Sequence, residues 1–282
     1  MKLCNHYLLG SLALSFAFVT AGHAQILFSE DFEGWTVGQP VSDSGDSPER
    51  WDSDDEFNII EQDTGNVFGL GTDNQFMRLG NLELGDSGLV SGGQNRIEQR
   101  NYAGRVGTGV LSVSFDLYEP NDGNGSGLVS DLGERSFLRI RGDTEGTGLQ
   151  TIRIDDGDLR EDGGGSPDLY DFGEDTLVNF EFVFNQSGAD VTYKGNVLSS
   201  GAIDVYADGV LVVSGLESGE DNPTDDFARI YFETDYNSGG SSAQELWIDN
   251  WQTAAVPEPT TFALLAGLGA LGMIVLSRRK RK

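Results

Sequence analysis

Hydrophobic and polar positions alternate along much of the second half of the chain. From Val110 onward, Leu111, Val113, Phe115 and Leu117 fall on one side of a strand and Ser112, Ser114 and Asp116 on the other, the period of two expected of a half-buried strand. Residues 137–141 repeat the pattern, with Leu138 and Ile140 set against Arg139 and Arg141, and residues 149–154 set Ile152 and Ile154 against Arg153. Val178, Phe180, Phe182 and Phe184 make the most apolar stripe in the chain. Residues 203–207 and 210–213 flank Asp208-Gly209, a dipeptide that favours a tight hairpin turn. Residues 227–233 and 245–251 complete the set, and in the latter Trp247 and Trp251 alternate with Leu246 and Ile248, so only one of these pairs is expected in the core. Earlier in the chain an apolar run from Gln25 leads into an acidic turn, and residues 57–61 and 75–79 predict short strands. Residues 94–102 are polar and ambiguous, 43–56 is a polar, acidic loop, and 119–133 and 155–175 are acidic, glycine-rich loops. Asp155-Asp156-Gly157-Asp158 lacks the alternating ligands and terminal Glu of a calcium-binding EF-hand and is expected to be a solvated turn. No window ahead of the tail has the period of an amphipathic helix. Many strands between Gly/Asp loops predict an all-β sandwich, and the length and loop size favour a jelly roll over an immunoglobulin module.

The two ends follow other rules. Residues 261–276 carry no charge and give a helix of about 24 Å, slightly short of a hydrocarbon core, with five basic residues from Arg278 to Lys282 after it. A transmembrane helix over 261–277 is expected, its basic end cytoplasmic. Pro257-Glu258-Pro259 precedes the helix, and Arg278, Arg279 and Lys280 open the basic end. Together, residues 254–282 resemble the PEP-CTERM sorting tail. That resemblance implies processing by an exosortase-type membrane protease, anchorage in the membrane beforehand, and delivery to the cell surface or extracellular matrix. An ordinary single-pass anchor is the alternative. At the other end Lys2, the apolar run 8–21 and Ala21-Gly22-His23-Ala24 have the plan of a signal peptide cut by signal peptidase after Ala24. The predicted sandwich domain is therefore 25–253.

Charge changes the picture once the ends are removed. Six of 18 basic residues and one of 46 acidic residues leave with them, which takes the formal charge from −28 to about −33. Such a surface repels nucleic acid and anionic lipid and attracts divalent cations. The only cysteine, Cys4, and both histidines, His6 and His23, lie in the predicted signal peptide. The exported part thus has no thiol nucleophile, disulfide or imidazole, which excludes Ser-His-Asp and Cys-His catalysis and ordinary zinc sites. A metal there would be a hard cation held by oxygen, calcium first.

The segment from Asp204 through Tyr206, Asp208 and Gly209 resembles the Tyr-x-Asp-Gly hairpin of concanavalin A-like (laminin G-type) domains. Glu30-Asp31-Phe32-Glu33-Gly34-Trp35 and Leu246-Trp247-Ile248-Asp249-Asn250 are similar to the first and last strands of jelly-roll carbohydrate-binding modules. In those modules the two ends lie side by side and their acidic groups hold a structural calcium. The resemblance carries that role to Glu33 and Asp249, with Asp31 as a third ligand. Concanavalin-like glucanases use a Glu-x-Asp-x-Glu strand, which is absent here, and lyases of that fold use His or Tyr with Arg and Gln. With 45 acids left, a carboxylate pair at the ~5–9.5 Å of glycosidases is almost inevitable and says little.

Sugar binding asks for aromatic faces beside planar polar groups. Trp35, Trp51, Tyr170 and Tyr236 fall in predicted loops and are the candidate stacking residues, or else lids over the end of the sandwich. Arg139, Arg141 and Arg153, with Arg229 nearby, form either a cationic stripe suited to uronate or sulfate, or partners for acids on a solvated face. The expected protein is an exported, non-catalytic surface or matrix protein associated with glycan or exopolysaccharide. The alternatives are a purely structural acidic matrix protein cross-linked by calcium, and a diverged polysaccharide hydrolase or lyase.

Overall fold

A computed structural model describes residues 24–41, 51–53, 58–80, 94–100, 109–121, 135–142, 148–155, 157–161, 168–217, 227–235 and 245–257. Ala24–Glu258 form one compact unit. The expected signal peptide up to His23, the helix 261–277, Glu258, Pro259, Arg278, Arg279, Lys280 and Tyr236 lie outside the described residues. Among the described residues all regular structure is strand, and no helix is long and apolar enough to cross a membrane.

In chain order the strands are β1 (Gln25–Glu30), β2 (Trp51–Ser53), β3 (Asn58–Gln62), β4 (Gln75–Gly80), β5 (Gln94–Arg100), β6 (Val110–Tyr118), β7 (Arg135–Gly142), β8 (Gly148–Asp155), β9 (Asp158–Glu161), β10 (Asp168–Asp171), β11 (Leu177–Asn185), β12 (Val191–Tyr193), β13 (Asn196–Leu198), β14 (Ala202–Ala207), β15 (Val210–Glu217), β16 (Phe227–Asp235) and β17 (Glu245–Val256). One eight-stranded sheet runs β15-β14-β11-β6-β17-β4-β3, with β1 beside the C-terminal half of β17. A seven-stranded sheet runs β10-β9-β8-β7-β16-β5-β2, and β12 pairs with β13 as a separate hairpin. The fold is the expected all-β jelly roll, and its first and last strands pair directly.

The apolar stripes read from the sequence meet in one core. Leu111, Val113, Phe115 and Leu117 of β6 and Phe180, Phe182 and Phe184 of β11 come from the eight-stranded sheet; Leu138, Ile152, Ile154, Ile230 and Phe232 come from the other. The centre is aromatic. Phe115 stacks on Trp251 with ring centroids 5.2 Å apart and planes 9° apart. It meets Phe232 of the opposite sheet edge-on at 5.1 Å, a geometry that suits ring quadrupoles.

Trp251 is in that core only because β17 is bulged. The register against β6 shifts between Asp249 and Gln252, and Asn250 has φ 50°. A straight strand would have put Trp251 on the face opposite Leu246 and Ile248; the extra residue reverses the parity, so all three are buried together. Trp247 stays on the outer face.

Three other expectations are corrected. Residues 155–175 contain β9 and β10, so Tyr170 is on a strand, packed against the core and edge-on to Phe180, rather than in a loop. Trp51 likewise begins a strand, opposite Gln99 of β5, and residues 94–100 are β5 itself. The turn around Gly157 is buried, not solvated: its N–H donates to Glu119 Oε2 at 2.9 Å and its carbonyl accepts from Phe172 N at 2.7 Å. A side chain at Gly157 would put its Cβ 2.5 Å from Glu174 N, while one at Gly209 would meet nothing, although the two share φ near +75° (75° and 77°).

That pair separates backbone strain from crowding. Gly209→Ala should cost the ~1–2 kcal/mol of a left-handed L-residue, and Gly157→Ala should cost at least ~2 kcal/mol more because the clashing atoms are backbone. Urea denaturation of both variants checks this; equal losses would show that the buried turn relaxes.

Candidate binding face

The outer face of the eight-stranded sheet carries the polar halves of the alternating strands. Pairing sets Asp116 of β6 opposite Asn179 of β11 on one side and Asp249 of β17 on the other, with Ser114 between Glu181 and Gln252 in the next row. The two ends of this face are covered. Around Val110 and Val183, the β12–β13 hairpin lays down Val191 and Leu198. At the Tyr118 end, the loop 63–74 is tied by Asp63, whose carboxylate accepts from Val67 N at 2.8 Å and Phe68 N at 2.9 Å. It lays Phe68 against Phe76, with centroids 5.4 Å apart.

Between the covers is a row of locked amides. Asn179 Nδ2 donates to Asp116 Oδ1 at 2.7 Å and Asn250 Nδ2 to Asp116 Oδ2 at 2.8 Å. One carboxylate thus fixes two exposed amides and leaves their carbonyl oxygens and second N–H groups to the solvent side. Asn250 reaches this position from the bulge, where Asn tolerates the left-handed backbone. Beside the row stand two half-buried rings, Trp247 and Tyr118, 5.1 Å apart. Trp247 is backed by Phe76 at 4.6 Å. The Tyr118 hydroxyl donates to Asp175 Oδ1 at 3.0 Å, and burial, with that carboxylate, pushes its pKa up to about 12. A shallow depression of about 350 Å³, lined by Ser29, Glu30, Asp31, Asn250, Trp251 and Gln252, opens at the β1 side.

At the hairpin end, Glu181 accepts from Ser112 Oγ at 3.0 Å and Tyr193 Oη at 2.5 Å and is paired with Lys194. The Lys194 ammonium lies 4.8 Å from the Tyr206 ring centre. These contacts hold the hairpin on the sheet.

The residues proposed from sequence are scattered. Trp35 is half-buried against the core, as a lid would be, and Tyr170 belongs to the seven-stranded sheet. Arg139, Arg141 and Arg153 do occupy adjacent strands, β7 and β8, and Arg153 is buried rather than solvated. Asp31 is exposed and caps Glu33 N at 3.2 Å. Glu33 Oε1 accepts from Gln75 N at 3.0 Å, and Asp249 Oδ2 accepts from the neighbouring Asn74 Nδ2 at 2.9 Å. Glu33 and Asp249 are thus brought near one another, but each points an oxygen at an N–H donor. Among the described residues no group of three or more acidic side chains is gathered to hold a metal ion. As arranged, Asp31, Glu33 and Asp249 do not fit a calcium cage.

Asp249 is the most perturbed acid here. Burial, then the charges of Asp116 and Glu33, raise its pKa to about 6 against the hydrogen bonds from Asn74 and Asn250. A raised carboxyl is what an acid catalyst requires, but Asp249 has no exposed surface and cannot touch a substrate.

The amide row and the Tyr118–Trp247 pair were not singled out from sequence. Asp116 and Asn179 lie on different strands, and only the pairing register brings them together. The visible signal was Asp249-Asn250, two adjacent turn-forming residues in the middle of a strand.

Comparison with known proteins adds one assignment. Residues 255–281 match the PEP-CTERM protein-sorting motif, so the chain carries the sorting signal of an exported protein. No curated protein sequence matches the chain. Among solved structures it is similar to a sialidase, at 15% identity over 73% of this chain and 17% of that one, TM-score 0.47. A botulinum neurotoxin type C chain, whose cell entry depends on two ganglioside molecules, is similar at 14% identity over 86% and 51%, TM-score 0.47. An alginate lyase in complex with alginate trisaccharide is similar at 9% identity over 83% and 100%, TM-score 0.47. This chain spans only a small part of the sialidase and half of the neurotoxin chain. Backbone likeness at this level leaves the chemistry to be argued from the residues themselves.

Asp249 gives a pH prediction. Folding raises this carboxyl from about 4 to about 6, so between those values the native state keeps a proton that the unfolded chain has released. Its contribution is fully present below pH ~4 and is lost as pH rises through ~6, by up to ~3 kcal/mol at ~1.4 kcal/mol per pKa unit. Asp249→Asn, with the Asn74 amide reversed to match, should abolish that decline and be the more stable protein at pH 7. Thermal melts from pH 3.5 to 7.5 in chelator test this; parallel wild-type and variant profiles would show that Asp249 does not titrate in this range.

Proposed function

We propose that this chain is an exported, non-catalytic cell-surface protein that binds glycan on the outer face of its eight-stranded sheet. The observation that carries this is the Asn179–Asp116–Asn250 row beside Tyr118 and Trp247. Pre-fixed planar amides suit paired hydroxyls, and ordering them in advance reduces the entropy lost on binding. Rings at the edge of the row offer apolar contact to the C–H side of a sugar. The sorting motif supports delivery to the surface after processing by exosortase-type machinery. A binding role is favoured over a hydrolytic one because the raised carboxyl is sealed inside the protein.

The binding test is affinity electrophoresis of the full-length chain in detergent through neutral polysaccharides, with calcium and with chelator. Asn250→Gly keeps the left-handed backbone while removing one amide, and Asn179→Ala removes the other. Each should weaken retardation about tenfold, the ~1.5 kcal/mol of one or two hydrogen bonds, with an unchanged melting profile. Retardation by no neutral gel, or equal retardation of wild type and both variants, would reject this face as the site. Loss only on chelation would place a calcium requirement in the fold or the site.

The sorting step has a separate test. Replacing Pro257-Glu258-Pro259 with alanines should leave unprocessed protein in the membrane fraction. Unchanged processing and surface delivery would contradict the exosortase route.

A further inference from the structure

We infer that the glycan taken by the amide row carries free amino groups, as in an amino-sugar chain whose nitrogens are not acylated. This rests on the reading of that row as the sugar site and names the class of sugar. The observation behind it is how the acids around the row spend their oxygens. Asp116 and Asp249, in the middle, accept hydrogen bonds on both. The acids at the margins accept on only one. Asp175 Oδ1 takes the Tyr118 hydroxyl and Asn121 N, both at 3.0 Å, and Asp208 Oδ1 takes Asn179 N at 3.0 Å. Glu30 Oε1 takes Phe32 N at 2.9 Å, and Asp31 Oδ1 takes Glu33 N at 3.2 Å. No donor among the described residues takes the second oxygen of any of these four. Asp175, Asp208 and Asp31 are exposed and Glu30 is half-buried.

Each of these carboxylates adjoins a group already given to the sugar. Asp175 is held at Tyr118, Asp208 at Asn179, and Glu30 and Asp31 line the depression beside Asn250. Asn179 and Asn250 stand on the strands either side of β6, two strand spacings or ~10 Å apart. A chain of sugars laid along the row therefore meets an amide and a half-committed carboxylate at both ends. The amides suit hydroxyls, and the carboxylates suit an ammonium. A hydroxyl satisfies only the hydrogen bond, whereas an ammonium also cancels the charge and makes the bond roughly twice as strong. The cations described on this face are engaged elsewhere: Lys194 is paired with Glu181, and Arg78 with Glu61 and Glu245. A uronate or sulfated chain would instead bring a second negative charge to each position. The field of the whole domain acts in the same direction, since a formal charge of about −33 draws a polycation in and turns a polyanion away.

The test is isothermal titration of the full-length chain in detergent, at pH 6 and 50 mM salt, with tetramers of glucosamine and of N-acetylglucosamine. The two share a backbone and differ in the free amine. The glucosamine tetramer should bind at least tenfold tighter, and the difference should shrink at 200 mM salt. D175N/D208N keeps the acceptor oxygens that Tyr118, Asn121 and Asn179 use, and Asn tolerates the left-handed backbone at both positions (φ 55° and 50°). It should lose that preference while binding the N-acetylated tetramer as wild type does. D190N/E217Q removes the same number of charges beside the first residues of β14, whereas Asp208 follows its last, and should keep the preference. Thermal melts of each variant establish that it is folded. Equal affinity for the two tetramers would overturn the inference. So would an equal loss of preference in D175N/D208N and D190N/E217Q, because net charge alone would then attract the amine. In either case the amide row stands as the sugar site if N179A and N250G weaken binding of both tetramers. If neither tetramer binds but a neutral polysaccharide retards wild type and not N179A or N250G, this inference alone falls; binding to no glycan removes both.

Discussion

One irregularity in the last strand governs both sides of the eight-stranded sheet. The bulge at Asp249 and Asn250 reverses the parity of β17 halfway along its length. Inward, it brings Trp251 onto Phe115 and Phe232 at the middle of the sandwich, where the two sheets touch. Outward, it offers Asn250 to Asp116 and drops Asp249 into a closed position beneath Asn74. A regular strand could do one of these things but not both, because its side chains would keep their order to the end. Since β17 also pairs with β1, β4 and β6, an error in its register would propagate through four strands. The left-handed backbone at position 250 is thus a structural requirement of the core, and the Asn side chain there a positional requirement of the outer face.

How much of this was legible in the sequence depends on the range of the signal. Alternation within a strand is local, and the stripes in β6, β7, β8 and β11 predicted core residues, among them Phe115, Leu138, Ile152 and Phe182, that are buried. The Asp208-Gly209 turn was equally plain, because positive φ at two successive residues selects that chemistry. Short strands without a stripe were not legible: β5 has one apolar residue, Ile97, among six polar ones and reads as ambiguous, and β9 and β10 are four residues each inside a glycine-rich run. The parity of Trp251 was misjudged for a different reason. Periodicity assumes an unbroken strand, and a bulge is invisible to it. The candidate sugar-binding residues were sought in loops, by the general rule that function concentrates there. The amide row instead lies on three adjacent strands, and its members are far apart in the chain. Only pairing puts Asn179 and Asn250 on either side of Asp116.

Net charge conceals a second organisation. An overall value of −28 describes a solvated, repulsive surface, yet the arginines are not spread evenly over it. Some answer a local need: Arg160 pairs with Asp158 and Asp168 at the end of the seven-stranded sheet, and Arg78 bridges Glu61 and Glu245 on the outer face of the other. In both cases the acid lies on the arginine's own or a neighbouring strand, so a sequence with this much acid has no difficulty supplying one. The pairing register also sets Arg229 of β16 opposite Arg100 of β5 on one side and Arg141 of β7 on the other.

The buried carboxyl bears on whether such a surface performs chemistry. A glycosidase places its raised acid against the leaving oxygen, with a second carboxylate across the sugar. Asp249 has the raised pKa and has Asp116 for a neighbour, so proximity and perturbation alone would nominate this pair. The hydrogen bonds decide otherwise. Asp249 spends its oxygens on Asn74 and the Asn250 backbone, which fixes the loop 63–74 to the bulge, and Asp116 spends both of its own on the two amides. Each carboxylate is committed to holding another group still. Taking a proton to or from a substrate would require one of them to release the group it holds, Asn74 and the bulge for Asp249 or the two amides for Asp116.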